Sequence, residues 1–318
     1  TNRPLVRFAW FVVFYNVLVI LWGALVRATG SGAGCGNHWP LCNGQVIPVS
    51  PTWHTIIEFT HRQMVTGATF AILLLLIWTL RTTAKRHPAR IFAIASTILL
   101  FNEAFLGALL VKLGYVTSNQ SVGRMIILSI HLSNTLLLLA ALTVTARSLT
   151  RTSPSPALAL DRPGLGWAIT GLLATIAVGV TGSMAALGDT LFPATSLRAA
   201  YLQDFTADSP WLLRLRLVHP ISAVLAALFV LWLLRRARSQ PKTTQELAGI
   251  TITLLAFQFI LGFADVLLLA PAWMQLLHLL GADLYWIALV LLAADIIWPN
   301  PVGPSLVAPS VAERTTLA

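Results

Sequence analysis

Eight runs of about 20 apolar residues set the limits on this chain, near 8–27, 54–80, 91–111, 124–146, 165–187, 212–234, 247–270 and 273–298. A run of that length spans the hydrocarbon core of a bilayer as an α-helix, at 1.5 Å per residue. Hydrocarbon offers no partner to a free N–H or C=O, so helices and closed barrels alone can cross it. Barrel strands alternate polar and apolar residues over about 10 positions, which these continuous runs do not. The expected fold is therefore all-α and integral to a membrane, with eight spans. Charged residues make up 10% of the chain, against roughly 25% in soluble domains. The first run lacks the small-residue cleavage site of a secretory signal and is expected to remain as a span.

The formal net charge of +10 reports topology rather than a nucleic-acid partner. With the N-terminus placed in the cytoplasm, seven cations fall outside: Arg27, Arg62, Lys112, Arg124, Arg198, Arg214 and Arg216. The other 14 of the 21 Lys and Arg fall inside. That bias predicts both termini to be cytoplasmic. Trp53, Trp211 and Trp273, near span ends, read as interfacial anchors.

Cys35 and Cys42 both lie in the first outer loop, "GSGAGCGNHWPLCNGQ". An oxidising outer face permits a disulfide between them; two free thiols is the alternative. A zinc site would need more ligands than these two and His38 provide.

The chain also repeats. Thr29-Gly30-Ser31 recurs as Thr181-Gly182-Ser183, and "EAFLG" (103–107) in the third span is matched by "QFILG" (258–262) in the seventh. Two parallel four-helix halves are the simplest reading. They are residues 1–147 and 165–298, joined by a cytoplasmic linker (148–164) and followed by a tail (299–318).

His61, His131, His219 and His278 fall one each in the second, fourth, sixth and eighth spans, all near the outer start of the span. Ionisable groups inside a membrane are costly and mark function. Two facing imidazoles in an apolar bundle suit the two axial positions of a haem iron, whose porphyrin provides the other four ligands. The expectation is two sites, His61/His131 and His219/His278.

The repeat breaks three residues ahead of its first histidine pair. Glu58 precedes His61, whereas Arg216 precedes His219, each on the same helix face as its histidine. A carboxylate suits proton transfer, and a guanidinium suits a haem propionate. The first half is thus expected to react and the second to hold an electron carrier. Glu58 has an alternative use as the partner of Arg62 or Arg27, and Arg216 as a snorkelling surface cation. Glu103, with Gln258 as its repeat mate, is expected to line the cleft or bond a neighbouring helix. Asp283 is expected to make a structural hydrogen bond, and Pro220 to disturb regular helix at His219.

"GSGAGCGNHWPLCNG" after the first span, "EFTHR" (58–62 within it) opening the second, and the lone histidines of the fourth, sixth and eighth spans resemble the haem A synthase family. The likeness covers essentially all eight spans. It implies oxidation of haem O to haem A, by successive hydroxylation of the C8 methyl to a formyl group. It further implies His61 and His131 flanking the substrate haem, Glu58 as catalytic carboxylate, and His219 and His278 as axial ligands of a haem b. Arg62, Arg216 and Arg27 would support propionates or the outer face, and Cys35–Cys42 would be a redox-sensitive disulfide. Haem O synthase, terminal-oxidase assembly factors and a membrane electron donor are the implied partners, in the plasma membrane of a prokaryote. Some members carry a second cysteine pair between the fifth and sixth spans; here that loop has none.

Other classes fit less of the sequence. A di-haem cytochrome b engaged only in electron transfer leaves Glu58 without a task. A thiol–disulfide exchanger wants a second cysteine pair. Prenyl transfer wants aspartate-rich Mg²⁺ motifs that do not occur. A proton-coupled transporter, with Glu58, Glu103, Asp265 and Asp283, leaves the matched histidines unexplained.

Overall fold

The computed structural model describes residues 2–151, 164–235 and 241–298. Most of the expected linker and all of the tail lie outside them. The described residues form α-helices and one 3-10 turn (Ser31–Ala33): α1 Arg3–Ala28, α2 Trp53–Thr82, α3 Pro88–Lys112, α4 Val122–Thr150, α5 Leu165–Leu191, α6 Leu197–Phe205, α7 Trp211–Leu234, α8 Lys242–Leu267 and α9 Ala272–Ile297. Eight of these, all but α6, are long and apolar enough to cross a membrane.

The helices start where side chains can satisfy their first N–H groups. Asn2, Thr52 and Ser121 accept from the backbone N–H three residues on in α1, α2 and α4, as N-caps do. Pro210, Pro241 and Pro271 immediately precede α7, α8 and α9. These caps lie outside the apolar windows, so most helices begin before the expected runs. The eighth helix ends at Leu267 rather than 270. Leu269 and Ala270 turn left-handed there, and Ala270 N–H reaches back to the Asp265 carbonyl at 2.8 Å, a Schellman-type ending. α7 runs unbroken through Pro220. The expected disturbance of the helix at His219 is therefore not seen; Ser222 Oγ donates back to the His219 carbonyl at 2.8 Å.

α1 packs on α2 and α4, and α3 closes a ring against α2 and α4; among the later helices α5 packs on α7 and α9 and α8 packs on α9, while α7 and α8 scarcely touch. The histidine-bearing helices, α2 with α4 and α7 with α9, stand on the diagonals and do not pack along one another. The two Thr-Gly-Ser triplets are not equivalent within this packing. Gly30 ends α1 in a left-handed turn, whereas Gly182 sits inside α5 beside His219.

Three ties at three depths join the halves across α1 and α4 on one side and α5 and α9 on the other. At the histidine end, Arg27 donates to Ala186 O (2.8 Å), Thr190 Oγ1 (2.9 Å) and Gln275 Oε1 (3.0 Å). Midway, buried Trp286 donates to Leu136 O at 2.8 Å. At the far end Asp295 accepts from both Arg147 and Arg151. Hydrogen bonds to a buried charge contribute most when the charge has no water. Arg27→Met is expected to cost about 3 kcal/mol in unfolding from detergent. Exposed Arg198→Met should cost no more than about 0.5 kcal/mol.

Candidate functional site

The first half builds its site on the junction of the outer loop and α2. Cys35 and Cys42 form a disulfide, and both are buried. The loop is sewn onto the helix start: Thr55 Oγ1 donates to Gly34 O at 2.8 Å, and Ser31 Oγ lies 3.0 Å from His54 Nδ1. Gly34 lies so close to the His54 carbonyl that a Cβ there would collide with it. A side chain at 34 would push the loop off the helix.

That attachment delivers a backbone N–H to Glu58. Cys35 N–H donates to Oε2 at 2.8 Å, and Arg62 Nη2 bonds Oε1 at 2.5 Å from one turn along α2. The carboxylate is 4% exposed. Arg62 spends its Nη1 on the loop carbonyls of His38 (2.8 Å) and Leu41 (2.7 Å). One guanidinium therefore holds both the carboxylate and the disulfide loop. Of the two expected partners of Glu58 the structure selects Arg62. Arg27 is engaged by α5 and α9 instead.

His61 follows Glu58 on α2, its Nδ1 buried without a partner. His131, on α4, has Glu103 Oε1 3.3 Å from its Nδ1. Glu103 also accepts from Thr135 Oγ1 and, at 2.6 Å, from Asn134 Nδ2, while Asn102 Nδ2 donates to Asn134 Oδ1 at 2.8 Å. Glu103 thus bonds the neighbouring helix, one of its two expected uses, and lies beside His131. His131 Nδ1 nevertheless makes no hydrogen bond, so Glu103 is a charged neighbour of the ring.

In the second half His219 and His278 face each other with ring centres 6.3 Å apart and planes at 82°. Imidazoles on opposite sides of one metal, at a metal–nitrogen distance of about 2.0–2.1 Å, have centres roughly 6 Å apart. The ring-centre spacing is thus that of two imidazoles sharing one metal ion. Thr181 Oγ1 lies 3.4 Å from His219 Nδ1. Gln258, the repeat mate of Glu103, donates to the His278 carbonyl at 3.0 Å and not to its ring. Arg216 is turned towards the α5 end: it pairs with Asp189 at 2.9 Å, donates to Gly188 O and Phe192 O, and reaches Asp204 at 3.4 Å. Asp283 is buried with Oδ2 unpartnered, so the expected structural hydrogen bond is not made at that atom. Among the described residues no group of three or more His, Cys, Asp and Glu is placed to hold a metal ion.

A feature the sequence reading passed over links the four histidines. Each ring edge lies against a glycine of the preceding long helix: Gly23 for His61, Gly107 for His131, Gly182 for His219 and Gly262 for His278. A Cβ on these glycines would come within 3.1, 3.9, 2.9 and 3.2 Å of Cε1. Two of them close the "EAFLG" and "QFILG" matches, which was the available signal. Gly182→Ala is expected to cost about 1–3 kcal/mol by overpacking. Gly249→Ala, whose Cβ would meet nothing, should be neutral or stabilising; unfolding of the two variants side by side checks this.

Comparison with known proteins agrees with this architecture. The family model COX15-CtaA, described as cytochrome oxidase assembly protein, matches residues 6–290. A Thermus thermophilus protein named Protoheme IX farnesyltransferase is 42% identical over 294 residues, 92% of this chain and 48% of that protein. Proteins named Heme A synthase are similar over shorter stretches. The one from Exiguobacterium sibiricum is 35% identical over 143 residues, covering 45% of this chain and 46% of the relative. The one from Alkalihalophilus pseudofirmus is 40% identical over 126 residues, 39% of each. The chain thus spans about half the length or less of these curated relatives.

Proposed function

The chain belongs to the COX15-CtaA family of cytochrome oxidase assembly proteins, and from that premise we propose that it converts haem O to haem A. The C8 methyl group would be oxidised to a formyl by successive hydroxylations, with haem O taken by the first half. The observation that carries this reading is Glu58, a buried carboxylate held by Cys35 N–H and Arg62 one turn ahead of His61. A purely electron-transferring di-haem protein has no use for it. The relatives named Heme A synthase support the same reading.

His61 and His131 flank the substrate in this proposal, with Glu103 beside the His131 ring. Glu58 accepts a proton or balances positive charge developing at the reacting carbon. Its two donors keep it in one position, so no reorganisation is needed during reaction. His219 and His278 hold a haem b, which would supply one-electron transfer to the first half. Arg216, paired with Asp189, borders that site, and Arg27 ties the two halves beside it.

The disulfide lies at the histidine end of the bundle, and disulfides persist on the oxidising side. That supports placing the sites near the extracytoplasmic face of a prokaryotic plasma membrane, with both termini cytoplasmic. The isoprenoid tail of haem O can then stay in the bilayer. Farnesyl transfer is the activity in the name of the Thermus relative, of which this chain matches 48%. Consecutive steps on one haem would explain the shared chain, and haem O synthase is the natural partner here.

Expression in cells that make haem O, followed by haem extraction and mass analysis, tests the proposal. Haem A or its hydroxylated intermediate is expected. Haem b alone, with haem O unchanged, would sink it and leave an electron-transfer cytochrome.

A further inference from the structure

At the end of the bundle opposite the histidines, roughly 30 Å away along α2, lies a cavity of about 310 Å³. Its walls come from the start of α1, the α2–α3 connection and the end of α4. The polar lining is Asn2, Thr82, Thr83, His87 and Arg151, and the apolar lining is Leu5, Val6, Ala84 and Leu149. None of these is acidic.

Arg151 is the odd member. Its side chain is 9% exposed, yet Nε is buried with no hydrogen-bond partner. Nη2 donates to Asp295 Oδ1 at 2.8 Å, but Arg147 already takes both oxygens of that carboxylate, at 3.0 and 2.7 Å. Two guanidinium groups share one carboxylate, leaving one positive charge over. Nε itself is closed off from solvent; Arg151 lines the cavity with the rest of its side chain, which brings the surplus charge to the cavity wall.

The other polar groups present donors as well. His87 Nδ1 accepts from Ala89 N–H at 3.2 Å, so the proton of the neutral ring sits on Nε2. Burial and the neighbouring Arg90 hold this imidazole below its ordinary pKa, which favours the neutral ring. Asn2 Oδ1 is taken by Leu5 N–H, leaving Nδ2 to donate. The first turns of α1 and α3 also begin here, with their positive dipole ends. Arg90 keeps the wall in place, donating to Thr83 O at 2.5 Å and to Thr83 Oγ1 at 3.2 Å.

The geometry points to a binding site for a phosphate-ester oxyanion at this end of the bundle, with the Arg151 guanidinium as its anchor. The apolar half of the lining and the position at a helix-bundle end suit the headgroup of an anionic phospholipid, the kind of group that basic pockets between membrane helices take up. A free phosphate offers the same oxygens. The site is independent of the haem chemistry proposed above.

Native mass spectrometry of the full chain in neutral detergent tests it, with phosphatidylglycerol, phosphatidylcholine and inorganic phosphate as probes. One phosphatidylglycerol per chain is expected to be retained in roughly five- to tenfold preference over phosphatidylcholine, the effect of about one cationic contact. Arg151→Gln leaves the Arg147–Asp295 pair balanced and should abolish the preference. Ala84→Trp fills the cavity without changing any charge and should do the same. Displacement of the lipid by millimolar phosphate would assign the site to free oxyanions, and resistance to it would assign the lipid; both support an oxyanion site. No preference in the wild type, or one that survives either substitution, overturns it.

Discussion

Haem O turnover in the Glu58→Gln variant should fall by about 10²- to 10⁴-fold, the usual contribution of a placed acid or base. Glutamine keeps the volume of the side chain, and its carbonyl oxygen can still accept from Cys35 N–H. It loses the charge that Arg62 Nη2 now contacts at 2.5 Å. Arg62 should remain in place, because the carbonyls of His38 and Leu41 hold its other nitrogen. The change is therefore confined to the chemistry of one group, and haem bound at His219/His278 should be unaffected. Mass analysis of extracted haems, beside a spectrum of the retained haem b, reads both quantities. A variant that still makes haem A at the wild-type rate would remove Glu58 from the reaction.

His278→Ala should lower retention of the second-half haem by at least about 100-fold, since outer-shell changes alone cost 10- to 100-fold at metal sites. His278 Nδ1 has no protein partner, and the opposing ring is 6.3 Å away, so no neighbouring side chain replaces it. The low-spin bis-imidazole spectrum that the proposed haem b would give the wild type should be absent from the variant. It should persist in His61→Ala, which removes a histidine proposed for the substrate haem. Loss of the spectrum from His61→Ala but not from His278→Ala would reverse the roles given to the halves.

Glu58 and His61 were legible in the sequence because charged and imidazole groups stand out against hydrocarbon-compatible neighbours, where each must have a use. The clamp on Glu58 was only half legible. Arg62 lies on the same helix face, four residues on, but the Cys35 N–H comes from 23 residues away through a loop whose path no periodicity encodes. Glu103 shows the same limit. Its neighbours Asn134 and His131 lie on α4, and which of α4's faces turns towards α3 depends on helix rotation. The nine-residue α6 escaped notice because it is too short and too polar to show an apolar run. The Thr-Gly-Ser triplets suggested a correspondence that packing does not keep, because glycine is placed by the ring it must admit.

The sequence by itself determined the eight spans, the class of fold and the identity of the four histidines, since burying backbone in lipid leaves a chain almost no choice of structure. Tertiary structure alone decided the rest: which helices stand on the diagonals, that Arg27 joins the halves instead of serving Glu58, and that a loop disulfide presents its amide to the carboxylate. Those outcomes depend on how apolar surfaces of similar character dock. Small residues at particular depths settle that docking, and no single helix carries the information.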